Sequence, residues 1–356
     1  MAKHITKKLV GVALALAAIS GTAQAAPGGV ITPLITSGGL PDSPAAHVDA
    51  NIPSSPFSGV VSINIRYDGQ SYICSGALVG KRQVVSAGHC VDTTGNGTLI
   101  DLNKPGSDVR VVFNATNIPG DPGSGVITAT KVQMNPNYAG FGHCPVGVPG
   151  FCVNDDLAVI TLGQDAPASA KIYKIAGQNL DANTRLIMAG YGTSGDGVNG
   201  YYINPSFRVK RTGQNIVDLF DGDDENGFGG ANEVWYADFD GNGKDTFCDW
   251  GIACSAQLGN SVESGIGGGD SGGPSFIESY GELMLIATNT FGGTPNGITP
   301  GAFGTYFGGI VLHSYLDYIV DATGGAAQVV PEPATTAMFG LGLLALVGAR
   351  RRKQQR

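Results

Sequence analysis

The chain has 356 residues, 56 of them glycine, and a formal net charge of −8 at pH 7. Three of its 21 basic residues lie in residues 1–25 and five in residues 326–356, whereas only one of its 29 acidic residues, Glu332, lies in either end. The segment between the ends therefore carries 13 basic and 28 acidic residues, a net charge of −15. So acidic a surface argues against nucleic acid as a partner and suits a soluble exported protein.

The N-terminus has the pattern of a signal peptide. A basic start precedes an apolar run from Leu9 to about Ile19, and a small-x-small site ends at Ala25. The apolar run is too short to span a bilayer with these flanks. We therefore expect residues 1–25 to be removed by signal peptidase on export. Residues 26–57 follow, rich in Pro, Gly, Ser and Ala and without strong periodicity, and they predict an extended or disordered leader.

Short alternating or β-branched runs then predict antiparallel strands, separated by Gly, Asn, Pro and Asp. In the first half they are residues 60–66, 71–78, 83–86, 109–113, 126–132 and 157–162. In the second half they are residues 172–176, 185–190, 208–212, 233–239, 274–277, 283–288 and 310–313. We expect two antiparallel barrels, over about 58–165 and 170–325, and a short helix over 314–322, where apolar residues have helical spacing.

Two polar segments of the first half contain candidate catalytic groups. His89 follows the strand at 83–86, and a histidine at such a position is a candidate general base. Asp155 and Asp156 precede the apolar run that starts at Leu157. We expect Asp156, which adjoins that run, to be drawn inside the fold and Asp155 to be solvated.

An acidic segment, Asp218 to Asp249, holds 10 acidic residues and one basic residue. Part of it has the spacing of a calcium loop, with glycine at position six and oxygen ligands at positions one, three, five and twelve, namely Asp238, Asp240, Asn242 and Asp249. Such a calcium ion would be structural. The alternative is a solvated loop without a ligand, because no helical pattern flanks it and position twelve is Asp instead of Glu.

A glycine-rich loop, Gly269-Asp270-Ser271-Gly272-Gly273, contains the candidate nucleophile. A serine between glycines exposes its hydroxyl, and the glycines let backbone N–H groups turn toward the same point. The pattern Gly-x-Ser-x-Gly also fits the nucleophile elbow of an α/β-hydrolase. That alternative needs an acid and then a histidine after the serine, but no aspartate lies between Ser271 and the only later histidine, His313.

The order histidine, aspartate, serine resembles the chymotrypsin/trypsin family of serine proteases. The resemblance covers about residues 58–322 and includes Cys74-Ser75-Gly76-Ala77-Leu78 and Ala189-Gly190-Tyr191-Gly192-Thr193. It implies an all-β fold of two six-stranded barrels with a short C-terminal helix. It also implies a serine endopeptidase that cleaves protein or peptide substrates through an acyl-enzyme intermediate and requires no cofactor for catalysis. The alternative is a matrix or adhesion protein that keeps the fold without catalysis.

The resemblance assigns a role to each candidate residue. His89 is the base, Asp156 orients it and Ser271 attacks, while the N–H groups of Gly269 and Ser271 form the oxyanion hole. The floor of the specificity pocket falls on Gly265, and its wall on Thr290-Phe291-Gly292. Because no carboxylate lies at the floor, we expect a wide uncharged pocket that prefers apolar or aromatic residues.

Six cysteines lie in the exported part of the chain, as expected in an oxidising compartment. The resemblance implies a bridge between Cys74 and Cys90 beside the catalytic histidine. Proximity in sequence suggests the other two of fifteen formal pairings, Cys144 with Cys152 and Cys248 with Cys254.

Activation departs from the family pattern. In relatives, a cut after a basic residue creates an N-terminus that pairs with the aspartate before the nucleophile, here Asp270. No Lys or Arg lies between Lys8 and Arg66, so trypsin-like activation is impossible in this sequence. Either another enzyme makes the N-terminus, or Asp270 is held in another way.

The C-terminal tail, residues 326–356, combines Pro331-Glu332-Pro333, an apolar segment over about 334–349 and a basic cluster. The apolar segment predicts a short transmembrane helix, and the basic cluster should stay cytoplasmic. This pattern resembles the PEP-CTERM sorting signal. It implies transient anchoring in the inner membrane, processing by an exosortase-type enzyme and delivery to the cell surface or the medium; the alternative is an anchor that is not processed.

Overall fold

A computed structural model describes residues 35–114 and 124–331. The first unit has six strands: β1 (Val60–Tyr67), β2 (Gln70–Leu78), β3 (Gln83–Ser86), β4 (Asp108–Asn114), β5 (Ser124–Met134) and β6 (Ala158–Leu162). They pair in the order β1-β2-β3-β6-β5-β4 as a closed barrel. All neighbouring pairs are antiparallel, as predicted.

Alternation of side chains along the strands fills this barrel. In β4, Val109, Val111 and Phe113 are buried and the residues between them are only partly covered. In β1, Val61 and Ile63 point into the barrel core, while Val60 on the opposite face joins a second core. Burying each such side chain contributes about 1.5–3 kcal/mol, so the period of two selects both the strands and their register.

The second unit contains the remaining strands, β7 (Ile175–Ala176), β8 (Arg185–Gly190), β9 (Ser194–Asp196), β10 (Gly200–Ile203), β11 (Arg211–Ile216), β12 (Leu219–Asp223), β13 (Gly229–Asp238), β14 (Pro274–Ser279), β15 (Glu282–Thr288), β16 (Phe291–Gly293), β17 (Tyr306–Ile310) and β18 (Val329–Val330). They form a six-stranded sheet in the order β11-β8-β14-β15-β7-β18, a four-stranded sheet β12-β13-β17-β16 and the pair β10-β9. A bridge between Ala287 and Val311 joins the two larger sheets. The mostly β fold is confirmed, but the described second unit is two joined sheets instead of one continuous barrel ladder.

Two glycines explain an error in strand placement. The strand predicted at 310–313 is observed as β17, which begins four residues earlier. Gly308 and Gly309 lie in this strand, although glycine has low strand propensity. A Cβ atom would lie 2.1 Å from the Trp235 carbonyl oxygen at Gly308 and 1.7 Å from the Thr288 carbonyl oxygen at Gly309. The glycines are therefore required by close backbone approach, which a propensity argument does not detect.

Two short α-helices lie in the described residues, α1 (Thr246–Asp249) and α2 (Leu316–Ala322). A 3₁₀ turn, Leu312–Tyr315, leads directly into α2, so the predicted C-terminal helix is confirmed. Neither helix in this part of the chain is long and apolar enough to cross a membrane. The apolar tail segment over 334–349, for which a transmembrane helix was predicted, lies outside the described residues.

The described part of the expected leader, residues 35–57, is packed against the second unit. The Thr36 N–H donates to the Gly265 carbonyl oxygen at 3.0 Å. Asp49 forms an ion pair at 2.9 Å with Lys210, which is fully buried and also donates to the Phe57 carbonyl oxygen at 2.7 Å. This segment is therefore ordered, largely as turns packed against the second unit, and the disordered alternative is wrong for it.

Candidate active site

Two short polar contacts join His89 to Asp156. Asp156 lies just before β6 and is fully buried. Its Oδ2 lies 2.6 Å from His89 Nδ1, and its Oδ1 accepts the His89 backbone N–H at 2.6 Å. A buried carboxylate at this distance requires the proton on Nδ1, which leaves Nε2 of the neutral ring as a free base.

Three features position His89 beside this carboxylate. The disulfide between Cys74 and Cys90 ties the segment after β3 to β2. Gly88 permits the close approach, because a Cβ atom there would lie 3.1 Å from Asp156 Oδ1. The ring of Phe141 packs edge-on against the imidazole, with centroids 5.2 Å apart, and fixes its plane.

Ser271 lies in a tight turn against the chain neighbours of His89. The Gly273 N–H closes the turn on the Asp270 carbonyl oxygen at 2.7 Å, and the Ser271 carbonyl oxygen accepts the Ser75 N–H at 2.9 Å. That carbonyl oxygen also lies 3.8 Å from the sulfur of Cys90. Gly272, with φ +74°, touches the end of β3, where its Cβ would lie 2.4 Å from the Ala87 nitrogen. These contacts seat the serine next to the histidine segment.

Two backbone N–H groups of this loop point away from internal acceptors. Among the described residues, no acceptor receives a hydrogen bond from the N–H of Gly269 or of Ser271. Ser75 Oγ donates to the Gly269 carbonyl oxygen at 2.7 Å and thereby fixes that peptide plane. Free N–H groups beside a candidate nucleophile are the donors that an oxyanion needs.

Asp270 is held from inside the protein. Its Oδ1 accepts the Gly192 N–H at 2.9 Å and its Oδ2 accepts the Gly267 N–H at 3.1 Å. Burial raises its pKa to about 7, against the lowering effect of these two bonds and of the Arg211 guanidinium. In the described structure, backbone donors and a nearby arginine thus hold this carboxyl group, which is the second of the two alternatives that the sequence left open.

Asp155 was expected to be solvated, and this expectation is wrong. The residue is 3 % exposed and adopts φ +61°, which turns it away from Asp156. Burial raises its pKa to about 8, and the neighbouring carboxylates of Glu225, Glu233 and Asp224 add to this effect. The two adjacent aspartates therefore face different environments, and only Asp156 contacts His89.

Buried aromatic rings lie beside both predicted parts of the specificity pocket, whose preference stays a prediction. At the predicted floor, a Cβ on Gly265 would lie 3.2 Å from the ring of Phe239. At the predicted wall, Gly292 pairs with Phe307, which is 1 % exposed and belongs to the same buried cluster as Phe239. The other two wall residues lie beside them, with the Thr290 N–H bonded to Gly308 and the Phe291 ring against Tyr236.

The predicted calcium ligands are only partly brought together. Asp238 and Asp240 each have a carboxylate oxygen within 4.8 Å of one from Asp245. Asn242 is exposed and its Oδ1 accepts from Asn260 at 2.8 Å, while Asp249 is exposed in α1. Residues 241–244 close as a tight turn. Calcium bound by Asp238, Asp240, Asn242 and Asp249 stays a prediction.

All three predicted disulfides are confirmed. Cys74 is bonded to Cys90, Cys144 to Cys152 and Cys248 to Cys254, and no free cysteine lies in the described residues. The last two close short surface loops of the two units.

The sequence analysis assigned no role to two supporting residues, Ser75 and Arg211. Ser75 Oγ accepts the Tyr191 N–H at 3.0 Å and donates to Gly269, so it joins both units behind the nucleophile. Arg211 supplies positive charge near Asp270 while its Nε donates to the Pro44 carbonyl oxygen at 2.9 Å. Neither had a local signal, since each acts on residues far away in sequence.

Comparison with protein families agrees with this geometry. Residues 46–210 match the family model Trypsin, and residues 329–353 match the PEP-CTERM protein-sorting motif. The first match includes His89 and Asp156 and ends before Ser271. A search of curated proteins found no significant match.

Proposed function

Because this chain carries a trypsin-like domain, we propose that it is a serine endopeptidase in which His89, Asp156 and Ser271 form the catalytic triad. The observation that carries the proposal is the two-point contact of buried Asp156 with His89 beside a serine loop with two free N–H groups. A buried carboxylate that orients a histidine beside a serine is the arrangement that activates a hydroxyl nucleophile.

The proposed reaction has two steps. His89 Nε2 takes the proton of Ser271 Oγ as that oxygen bonds to the peptide carbonyl carbon, and the N–H groups of Gly269 and Ser271 stabilise the oxyanion. The C–N bond then breaks as His89 returns the proton to the leaving amine. Water then attacks the acyl carbon as His89 Nε2 takes its proton. The bond from that carbon to Ser271 Oγ breaks, His89 returns the proton to Oγ, and the acid leaves. All groups in this scheme belong to the chain itself.

The direct test is the intact mass of the mature protein before and after exposure to a fluorophosphonate probe. A single adduct on Ser271 together with cleavage of a casein substrate supports the proposal. A folded protein that forms no adduct and cleaves no peptide would favour the alternative, a non-catalytic matrix or adhesion protein.

The pH dependence should reflect the environment of His89. Burial lowers its pKa, but the charge and hydrogen bond of Asp156 and the charge of Asp92 outweigh burial and raise it above 6.5. The neutral ring is the active base, so kcat/KM should fall as pH decreases through a value above 6.5. A pH profile of kcat/KM on a neutral peptide substrate measures this. An acidic limb centred below 6.5 would contradict it.

The buried aromatic ring opposite Gly292 suggests which substrates fit. Phe307 pairs with Gly292 at the predicted wall and is 1 % exposed. We infer that its ring narrows the pocket there and favours a small residue before the scissile bond. The variant Phe307→Ala should raise the kcat/KM ratio of a phenylalanine to an alanine peptide anilide by about tenfold, the effect of 1.4 kcal/mol.

The same variant should lower stability by about 3–5 kcal/mol because it leaves a cavity. The matched control is Phe113→Ala, which removes an equally buried ring from the first barrel. It should destabilise the protein without changing the ratio. An unchanged ratio in Phe307→Ala would overturn the inferred preference.

The two ends are proposed to direct the protease outward. Residues 1–25 would be removed by signal peptidase, leaving the leader 26–57, the protease domain 58–325 and the sorting tail 326–356. The tail contains the matched sorting motif. We infer that it anchors the protein transiently in the inner membrane, and that an exosortase-type enzyme processes it before release to the cell surface or the medium. Intact mass of the secreted protein tests both cleavages.

A further inference from the structure

A second group of acidic side chains lies behind the segment that carries Asp156. Carboxylate oxygens of four residues lie within 4.8 Å of one another, and these residues are Asp223, Asp224, Glu225 and Glu233. They come from the end of β12, the turn that follows it and β13. Among the residues that the structure describes, no lysine, arginine or histidine forms an ion pair with any of them.

One of these carboxylates is buried without a partner. Asp224 is 2 % exposed, and its Oδ1, fully covered, accepts no hydrogen bond from a described residue. A buried charge without a donor or counter-charge is costly, which indicates that something absent from the protein chain completes the site.

Asp155 lies beside this group, although it is not among the four residues whose carboxylate oxygens lie within 4.8 Å of one another. Its side chain contacts that of Glu225, with no cation between them among the described residues. Because Asp155 belongs to the first unit and Glu225 to the second, the two units present like charges to each other at this point. A bound cation would convert that repulsion into an attraction.

The frame around the group is fixed by neutral donors. Glu233 Oε2 accepts from Asn154 Nδ2 at 2.8 Å. The Tyr315 hydroxyl hydrogen-bonds Glu233 and accepts the Asp155 N–H at 3.0 Å. Asn154 Nδ2 also donates to the Gly222 carbonyl oxygen at 2.9 Å. The carboxylates are therefore held in place by the two residues before Asp156 and by the helix-leading turn.

We propose that Asp223, Asp224, Glu225 and Glu233 bind one calcium ion. The donor set is entirely carboxylate oxygen, which suits a hard cation and excludes the sulfur and imidazole ligands of most zinc and copper sites. Calcium takes six to eight oxygen ligands in flexible geometry, as several carboxylates from one turn and two strands can provide. An exported protein meets calcium at concentrations that fill extracellular sites.

The test is calcium binding to the purified full chain after treatment with a chelator, followed by calorimetric titration and by thermal unfolding. Calcium is expected to raise Tm in the wild type. Glu225→Gln, at an exposed position, and Asp224→Asn should each weaken this binding by about tenfold or more. Both should also raise Tm in the absence of calcium, since each removes one of several repelling charges. If Asp224 and Glu225 only stabilised the fold, both variants would instead lower Tm in the absence of calcium.

A control separates this site from other acidic residues. Glu278→Gln changes an exposed strand residue and should alter neither the affinity nor the Tm increment of this site. The proposal is overturned if calcium up to about 10 mM produces neither heat nor a Tm shift. It is also overturned if Glu225→Gln retains wild-type affinity. If Asp224→Asn does not fold, the result for Glu225→Gln decides alone.

The position of Asp155 suggests a consequence for catalysis, which rests on the proposed function. Calcium should speed fluorophosphonate labelling of Ser271 by fixing the segment that holds Asp156. Calcium binding without any labelling would overturn the protease proposal and leave the metal site supported. Labelling whose rate ignores bound calcium would overturn only this coupling.

Discussion

Replacing Ser271 with alanine is expected to abolish both peptide hydrolysis and fluorophosphonate labelling while leaving the fold intact. The proposed acyl-enzyme forms through the Ser271 hydroxyl, and alanine offers no oxygen to attack the carbonyl carbon. In triads that act as a unit, loss of the nucleophile lowers kcat by about 10⁶-fold, or about 8 kcal/mol of transition-state stabilisation. The measurement is kcat/KM on a peptide anilide, together with intact mass after labelling.

The structural cost of this change should be small. The contacts that seat the loop are made by backbone atoms, namely the Ser271 carbonyl oxygen with Ser75 and the Gly272 N–H with Asn289 at 2.7 Å. The free energy of unfolding should therefore change by no more than about 0.5 kcal/mol, as for an ordinary surface substitution, and Tm should change little. Ser261→Ala, at an exposed serine, is the matched control and should keep full activity. A Ser271→Ala protein that still hydrolyses peptides would exclude the proposed nucleophile.

Replacing Asp156 with asparagine should cost about 10⁴-fold in kcat, or about 5.5 kcal/mol. The carboxylate accepts two N–H groups of His89, one from the ring and one from the backbone. An asparagine offers one oxygen acceptor, and its NH₂ group would face an N–H donor. The ring would then change tautomer and present Nε2–H to Ser271, so it could not act as a base.

A second measurement distinguishes orientation from general damage. Asp156 is one cause of the raised pKa of His89, so its loss should move the acidic limb of the residual activity to lower pH. Asp181→Asn, at an exposed aspartate, is the control and should alter neither rate nor profile. An Asp156→Asn protein with full activity would show that another acid, such as the neighbouring Asp155, orients His89.

Local pattern determined much of this protein. Alternation of apolar residues predicted the first-barrel strands within a few residues, because burial on one face requires a period of two. Cysteine spacing and resemblance gave the three disulfides. The residue types of the candidate triad were also readable, since nucleophile, base and acid each carry a short sequence signature.

Contacts between distant segments decided the rest. Asp155 and Asp156 are chemically identical neighbours, and the backbone turn at Asp155 alone sends one to His89 and the other to the acidic group. Phe307 lies opposite Gly292 because β16 and β17 pair in a register that the surrounding glycines concealed.

The acidic residues divide in the same way. The sequence showed one long acidic segment, whereas folding separates its residues into one group around Asp240 and another around Asp224. Composition and periodicity report forces that act within a few residues. Charge pairing, ring packing and ligand geometry depend on which segments meet in space, and only the tertiary structure determines that.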